Sequence, residues 1–210
     1  FHEFWHAIHE MFSESQYSDL SWSHIEWDFV EVPSQFHEHF CHEKESLDLF
    51  AEHIDSWKKI PQSVLEKMKE AENFWNGNMY LTQCQFSSID MLLHSKKTSK
   101  NIEELDSMIL KKVNDLSVIS KDIDYKMYCG FSHIFDWWYA AWYYSYMRSE
   151  ILELDIWKDF QDTGVFDSII SQKYYDTILS QWSKKEAKQL FHDFKWKDMD
   201  LQGFFNYKWL

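Results

Sequence analysis

At 210 residues the chain is long enough to bury a sizeable core in one domain. With 35 acidic against 21 basic side chains its formal charge is −14, which excludes the basic face that nucleic-acid binding needs. No run of about 18 apolar residues and no charged-then-apolar start occurs, so neither a membrane span nor a signal peptide is expected.

Only Pro33 and Pro61 punctuate the chain, and glycine is scarce, so strands and tight hairpins have few turn signals. Apolar residues recur at helical spacing over long polar-punctuated segments, which predicts an all-α, multi-helix fold. The first helix covers residues 1–14, with Phe4, Ile8, Met11 and Phe12 as its core stripe. On another stripe lie His2, His6 and His9. His2-Glu3-x-x-His6 places two imidazoles one turn apart, able to hold one Zn²⁺, with Glu3 beside them to take a proton from water on the metal. The bland reading is an amphipathic helix that happens to carry two histidines. His9 is read as a neighbour or substrate-facing group before a ligand.

Residues 15–24 read as a polar loop. A second helix is expected from about Glu26 to Asp55, kinked near Pro33. It carries Glu31, 25 residues after His6, a spacing that lets the chain turn back and supply a third ligand. A catalytic zinc takes three protein ligands and keeps one position open. The run at 36–42 also pairs His37 with Cys41 and Glu38 with His42 at i,i+4. A polar histidine face is the stronger reading there than a second metal site.

Pro61 opens a helix to about Phe74, with Val64, Leu65, Met68 and Ala71 inward. Another spans about Met79–Ser95, with Phe86, Ile89, Leu92 and Leu93 inward. A basic loop at 95–101 reads as a solvated connection, followed by a helix from Ile102 to Val113. Aromatics at Tyr139, Tyr143 and Tyr146 recur at helical spacing, which by itself describes a packed aromatic stripe. The tail carries shorter helices, including 184–194 and 199–207. Cys41, Cys84 and Cys129 are odd in number and never in a C-x-x-C pair, so they read as reduced thiols in a reducing compartment.

Three blocks in order carry a resemblance. His-Glu-Phe-x-His-Ala-x-His at 2–9, Asp-Phe-Val-Glu-x-Pro-Ser-Gln at 28–35, and Phe131-Ser132-His133-Ile134-Phe135 with Tyr139-Ala140-Ala141 and Tyr143-Tyr144-Ser145-Tyr146 resemble the thimet oligopeptidase family of zinc metallopeptidases. The likeness covers nearly the whole chain and thins at about 96–125. It implies a zincin-type catalytic domain with the H-E-x-x-H helix at its centre, and a chain (1–210) that is the C-terminal part of a longer enzyme. It further implies one Zn²⁺ per chain on His2, His6 and Glu31, with Glu3 as general base. His133 and Tyr146 would be donors to the oxyanion, and Tyr139 and Tyr143 would contact substrate. The implied substrates are short peptides, the implied location cytoplasmic, and Tyr144 reads as structural.

Twelve tryptophans stand beside four glycines, an inversion of ordinary usage. Tryptophan sits where the resembling family has glycine at Trp5, Trp22, Trp137, Trp138 and Trp142, and by the same reading at Trp57, Trp182, Trp196 and Trp209. Trp157 reads as a true core aromatic, while Trp27 and Trp75 fit either. One account is that UGA codons meaning glycine have been read as tryptophan. The other is genuine indoles crowding the cleft at Trp137, Trp138 and Trp142. Two further readings follow from that and from the histidines: a catalytically impaired helical remnant that binds zinc or peptide without turnover, and a general histidine-rich metal binder.

Overall fold

The computed structural model describes residues 1–17, 25–95, 99, 101–136 and 139–208. The readings made at Trp22, Trp137, Trp138 and Trp209, the side chain of Trp182 and much of the 95–101 loop lie outside what is described. The all-α expectation holds: among the described residues there is no sheet, only an isolated bridge between Glu52 and Lys59. The helices are α1 (His2–Phe12), α2 (Val32–Glu38), α3 (Lys44–Phe50), α4 (Gln62–Asn73), α5 (Asn76–Leu93) and α6 (Ile102–Asp115). They continue with α7 (His133–Asp136), α8 (Ser145–Thr163), α9 (Ser168–Tyr174), α10 (Ala187–Lys195) and α11 (Leu201–Lys208). The chain divides into two compact units, one of residues 1–74 with 148–210 and one of residues 75–147.

The first unit is built on an aromatic core. Trp157 is fully buried, with its ring 5.5 Å from Phe36, 5.4 Å from Phe40 and 4.6 Å from His39. Phe29, Val32, Phe36, Ile178, Leu190 and Phe194 fill the remainder. The expected helix from 26 to 55 is broken. Residues 27–31 form turns, α2 starts at Val32 with Pro33 in its first turn, and a 3₁₀ turn at His39–Cys41 separates it from α3. Pro33 begins a helix rather than kinking one, because the first turn is where a missing N–H costs nothing.

The faces of two helices also differ from expectation. On α1, Phe4 and Met11 are exposed and Phe12 nearly so, while His9 is the buried residue. The stripe that meets α2 is the polar one. On α4, Val64, Met68 and Ala71 are exposed, and Leu65 alone of the expected four is buried. A helix on the edge of its unit needs only a narrow buried stripe.

In the second unit α5 and α6 pack through Ile89, Ile109 and Val113 onto Tyr128 and Ile134, with Leu92, Leu93, Phe131 and Tyr143 at the margin. The 131–147 segment is not one helix. After α7 the chain makes turns through 140–144 before α8 begins at Ser145.

Among the described residues three other than glycine adopt positive φ: Trp57 (56°), Ala141 (64°) and Trp196 (58°). Trp196 caps α10 in the left-handed conformation, its N–H bonding the His192 carbonyl at 2.7 Å. Trp57 closes the turn from His53 to Lys58. Both indoles are exposed. That conformation costs a residue with a Cβ about 1–2 kcal/mol, and glycine nothing. Trp196→Gly should therefore raise the unfolding free energy by about 1 kcal/mol, read from urea denaturation.

His37 is buried, donates from Nδ1 to the Pro33 carbonyl at 2.6 Å, and has its pKa lowered to about 3 by desolvation. The stability this neutral imidazole contributes is full above the unfolded value of 6.5 and is lost as pH falls toward 3. Across that window unfolding takes up one proton here, worth about 1.4 kcal/mol per pH unit. Urea midpoints should fall on acidification, and less steeply in His37→Phe.

Candidate metal centre

α1 and α2 bring three donors together. His2 and His6, one turn apart on α1, set their rings 5.0 Å apart, edge to face. Their Nε2 atoms lie 3.2 and 3.3 Å from the same oxygen, Oε2 of Glu31. Among the described residues these three form the one group of histidine, cysteine or acidic side chains able to hold a metal ion, with donor atoms within 4.8 Å of one another. Two imidazoles and one carboxylate are the donor set of catalytic zinc sites that keep a position open.

Two of the three donors, Glu31 and His2, are oriented by a neighbour. Glu31 is buried at the mouth of α2, and Ser34 Oγ lies 3.0 Å from its Oε2 and 3.0 Å from its carbonyl. His2 donates from Nδ1 to Oε1 of Glu38 at 2.6 Å, which leaves Nε2 as the nitrogen that meets the site. Hydrogen bonds to Glu31 and Glu38 raise the His2 pKa to about 10. In the metal-free protein this imidazole is protonated, so metal uptake displaces a proton. Asp28 anchors the turn that delivers Glu31: its Oδ2 is 3.1 Å from Arg148 Nε, and its carbonyl accepts from Ser149 Oγ at 3.2 Å.

Glu3 is exposed on the first turn of α1. His9 is buried and outside the three-donor group, and burial, with the charges of His6 and His37, lowers its pKa well below the usual value. His37, Cys41 and His42 are not gathered into a site. His37 stacks on Trp5, and His42 Nδ1 is 4.0 Å from Glu72. His39 instead donates within a buried network, its Nε2 2.8 Å from Glu153 and its Nδ1 3.0 Å from Tyr207 Oη. Sequence reasoning passed over Glu38 as part of that polar face. The available signal was its position two helical turns after Glu31.

The second unit gathers the other expected residues. The rings of Tyr139 and Tyr146 stack at 4.9 Å and 25°. The His133 ring lies 6.0 Å from Tyr139, 6.2 Å from Tyr143 and 6.2 Å from Tyr146. Tyr143 packs on Phe131 at 4.9 Å, and burial raises its pKa against a hydrogen bond to Gln83. Trp142 rests on Tyr144 at 5.8 Å.

Two histidines and a carboxylate in this register, set on helices, are the kind of donor set that helical metal-dependent hydrolases use. The chain belongs to peptidase family M3, whose family model matches residues 1–207. It is 34% identical over 211 residues to oligopeptidase A of Haemophilus influenzae, covering 99% of this chain and 31% of that protein. To oligopeptidase A of Escherichia coli it is 32% identical over 206 residues, covering 97% and 30%. To dipeptidyl carboxypeptidase of Salmonella typhimurium it is 28% identical over 213 residues, covering 100% and 31%. The chain thus spans under a third of the length of these relatives.

Removing the charge of the Nδ1 acceptor should loosen the donor group without removing one of its three members. Glu38→Gln is expected to weaken divalent-metal binding about 10–100-fold, measured by competition with a chromogenic chelator.

Proposed function

We propose that this chain is the metal-bearing, C-terminal part of a zinc-dependent peptidase that hydrolyses peptide bonds in short oligopeptides. The observation that carries the reading is the convergence of both imidazole Nε2 atoms on one oxygen of Glu31, with Glu38 holding His2 through Nδ1. Membership of peptidase family M3 and likeness to proteins named oligopeptidase A support the same reaction class. The donor set fits zinc: imidazole nitrogen and a carboxylate, with no thiolate and too few oxygens for calcium.

Bound zinc would supply Lewis acidity, polarising the scissile carbonyl and lowering the pKa of the attacking water. This chain's residues do the rest. His2, His6 and Glu31 hold the ion. Glu3, one residue from His2 and open to solvent, accepts the water's proton and returns it to the leaving amine. His133 and Tyr146 are assigned as donors to the oxyanion on the resemblance of their segment, a role often worth several kcal/mol of barrier. Tyr139 orients the substrate backbone, and Tyr143 adds an aromatic contact.

A cytoplasmic location accords with a relative named probable cytosolic oligopeptidase A in Arabidopsis thaliana and with three free cysteines. Among the described residues no helix is long and apolar enough to cross a membrane.

Glu3→Gln should retain one zinc per chain by metal analysis and cut cleavage of a quenched short peptide by about 10²–10⁴-fold. Full activity in that variant would sink the reading.

A further inference from the structure

The strongest unassigned feature lies on α5. Asp90 is fully buried, and its two carboxylate oxygens are spent on one loop. Oδ1 accepts the N–H of Ala141 at 2.8 Å, and Oδ2 accepts the N–H of Tyr143 at 2.9 Å. His94, one turn along α5, lies with Nδ1 2.8 Å from Oδ1 and 3.0 Å from the Asp90 carbonyl. Ala141, one of the two pinned residues, is held at a φ of 64°. A buried carboxylate is costly unless its lone pairs are matched, and an apolar residue beside Ile89 would serve packing alone. What the carboxylate supplies is backbone geometry.

We propose that Asp90 is the positioning residue of the tyrosine loop. By fixing the amides of Ala141 and Tyr143 it sets the turn between Tyr139 and Tyr146, whose rings stack at 4.9 Å beside His133. It touches no reacting group and acts through the side chains that the loop carries. Its effect on turnover rests on the role assigned above to His133 and Tyr146; its effect on the loop does not.

The test uses the whole protein. Hydrogen exchange of the unaltered protein should show the Ala141 and Tyr143 amides protected relative to exposed Ala140. Equal exchange at all three overturns the clamp, and this readout needs no variant to fold. Asp90→Asn keeps the shape but opposes an amide N–H to a backbone N–H. It should release the amide that faces its NH2, leave zinc content unchanged, and lower kcat about 10–100-fold, as loss of orientation does. Wild-type kcat per zinc-loaded chain in Asp90→Asn overturns the proposal. Tyr146→Phe separates the two readings: full activity there removes the tyrosine's role, and the exchange result then decides the clamp.

A second inference rests on the tryptophans, independently of that loop. Trp57 and Trp196 occupy left-handed backbone, exposed, at a turn and a helix end where glycine is the usual residue. Trp5 lies flat on His37 with ring centroids 3.2 Å apart, closer than the 4.5–7 Å at which aromatic pairs ordinarily settle. Trp157, in contrast, is a fully enclosed core residue. We infer that positions 5, 57 and 196 are glycine in the protein made by its source cell, through UGA read as glycine. The coding DNA should show UGA at 5, 57 and 196 and UGG at 157, and peptides of the native protein should carry glycine at the three positions. UGG there, or tryptophan in those peptides, overturns the inference.

Discussion

The structure around the site depends on one buried carboxylate. Glu31 sits where two helices meet, and the His2 and His6 imidazoles of α1 point at the same oxygen of it. A lone carboxylate so placed would carry a large desolvation cost. Here it is offset by two imidazoles, by Ser34, and by the charge that Glu38 helps to stabilise on His2. The surrounding sequence serves this placement. Asp28 ties the preceding turn to Arg148 and Ser149, Pro33 opens α2 immediately afterwards, and Phe36 locks α2 into the aromatic core around Trp157.

The same device recurs in the second unit with a different object. There Asp90 receives backbone amides instead of imidazoles, and the product is a loop conformation instead of a donor set. In both units a buried acid on a rigid helix or at its mouth organises the groups opposite. α4, which carries no such acid, presents a mostly exposed face and contributes one buried apolar residue, Leu65.

Much of this was legible in the residues. Helical periodicity and the lack of turn signals lead to an all-α fold. His2 and His6 stand out because i,i+4 spacing on a helix is a short-range property, while Glu31 stands out through the motif around it, 25 residues after His6. Glu38 and Asp90 were not legible for the opposite reason. Asp90 lies 51 residues from the amide it accepts, and an acid on a mixed helix looks like a solvated one until its partner is known. Periodicity also identifies stripes without saying which is buried. On α1 the polar stripe meets a polar partner, so the apolar stripe of Phe4 and Met11 is the one left outside. The break of the 26–55 segment reflects a similar ambiguity, since proline both kinks helices and starts them.

That inversion on α1 has a consequence for how the unit coheres. His9 is the one side chain of α1 that is buried outright, and Trp5 is the main bulky residue it turns toward the core. Water exclusion therefore contributes less to its attachment than in an ordinary amphipathic helix. What fastens α1 to α2 is chiefly ionic: His2 and His6 on Glu31, and His2 on Glu38. Attachment of this kind responds to proton and cation activity rather than to temperature-dependent hydrophobic forces. The helix that bears His2 and His6 is thus also a joint whose tightness responds to the solution's ionic composition.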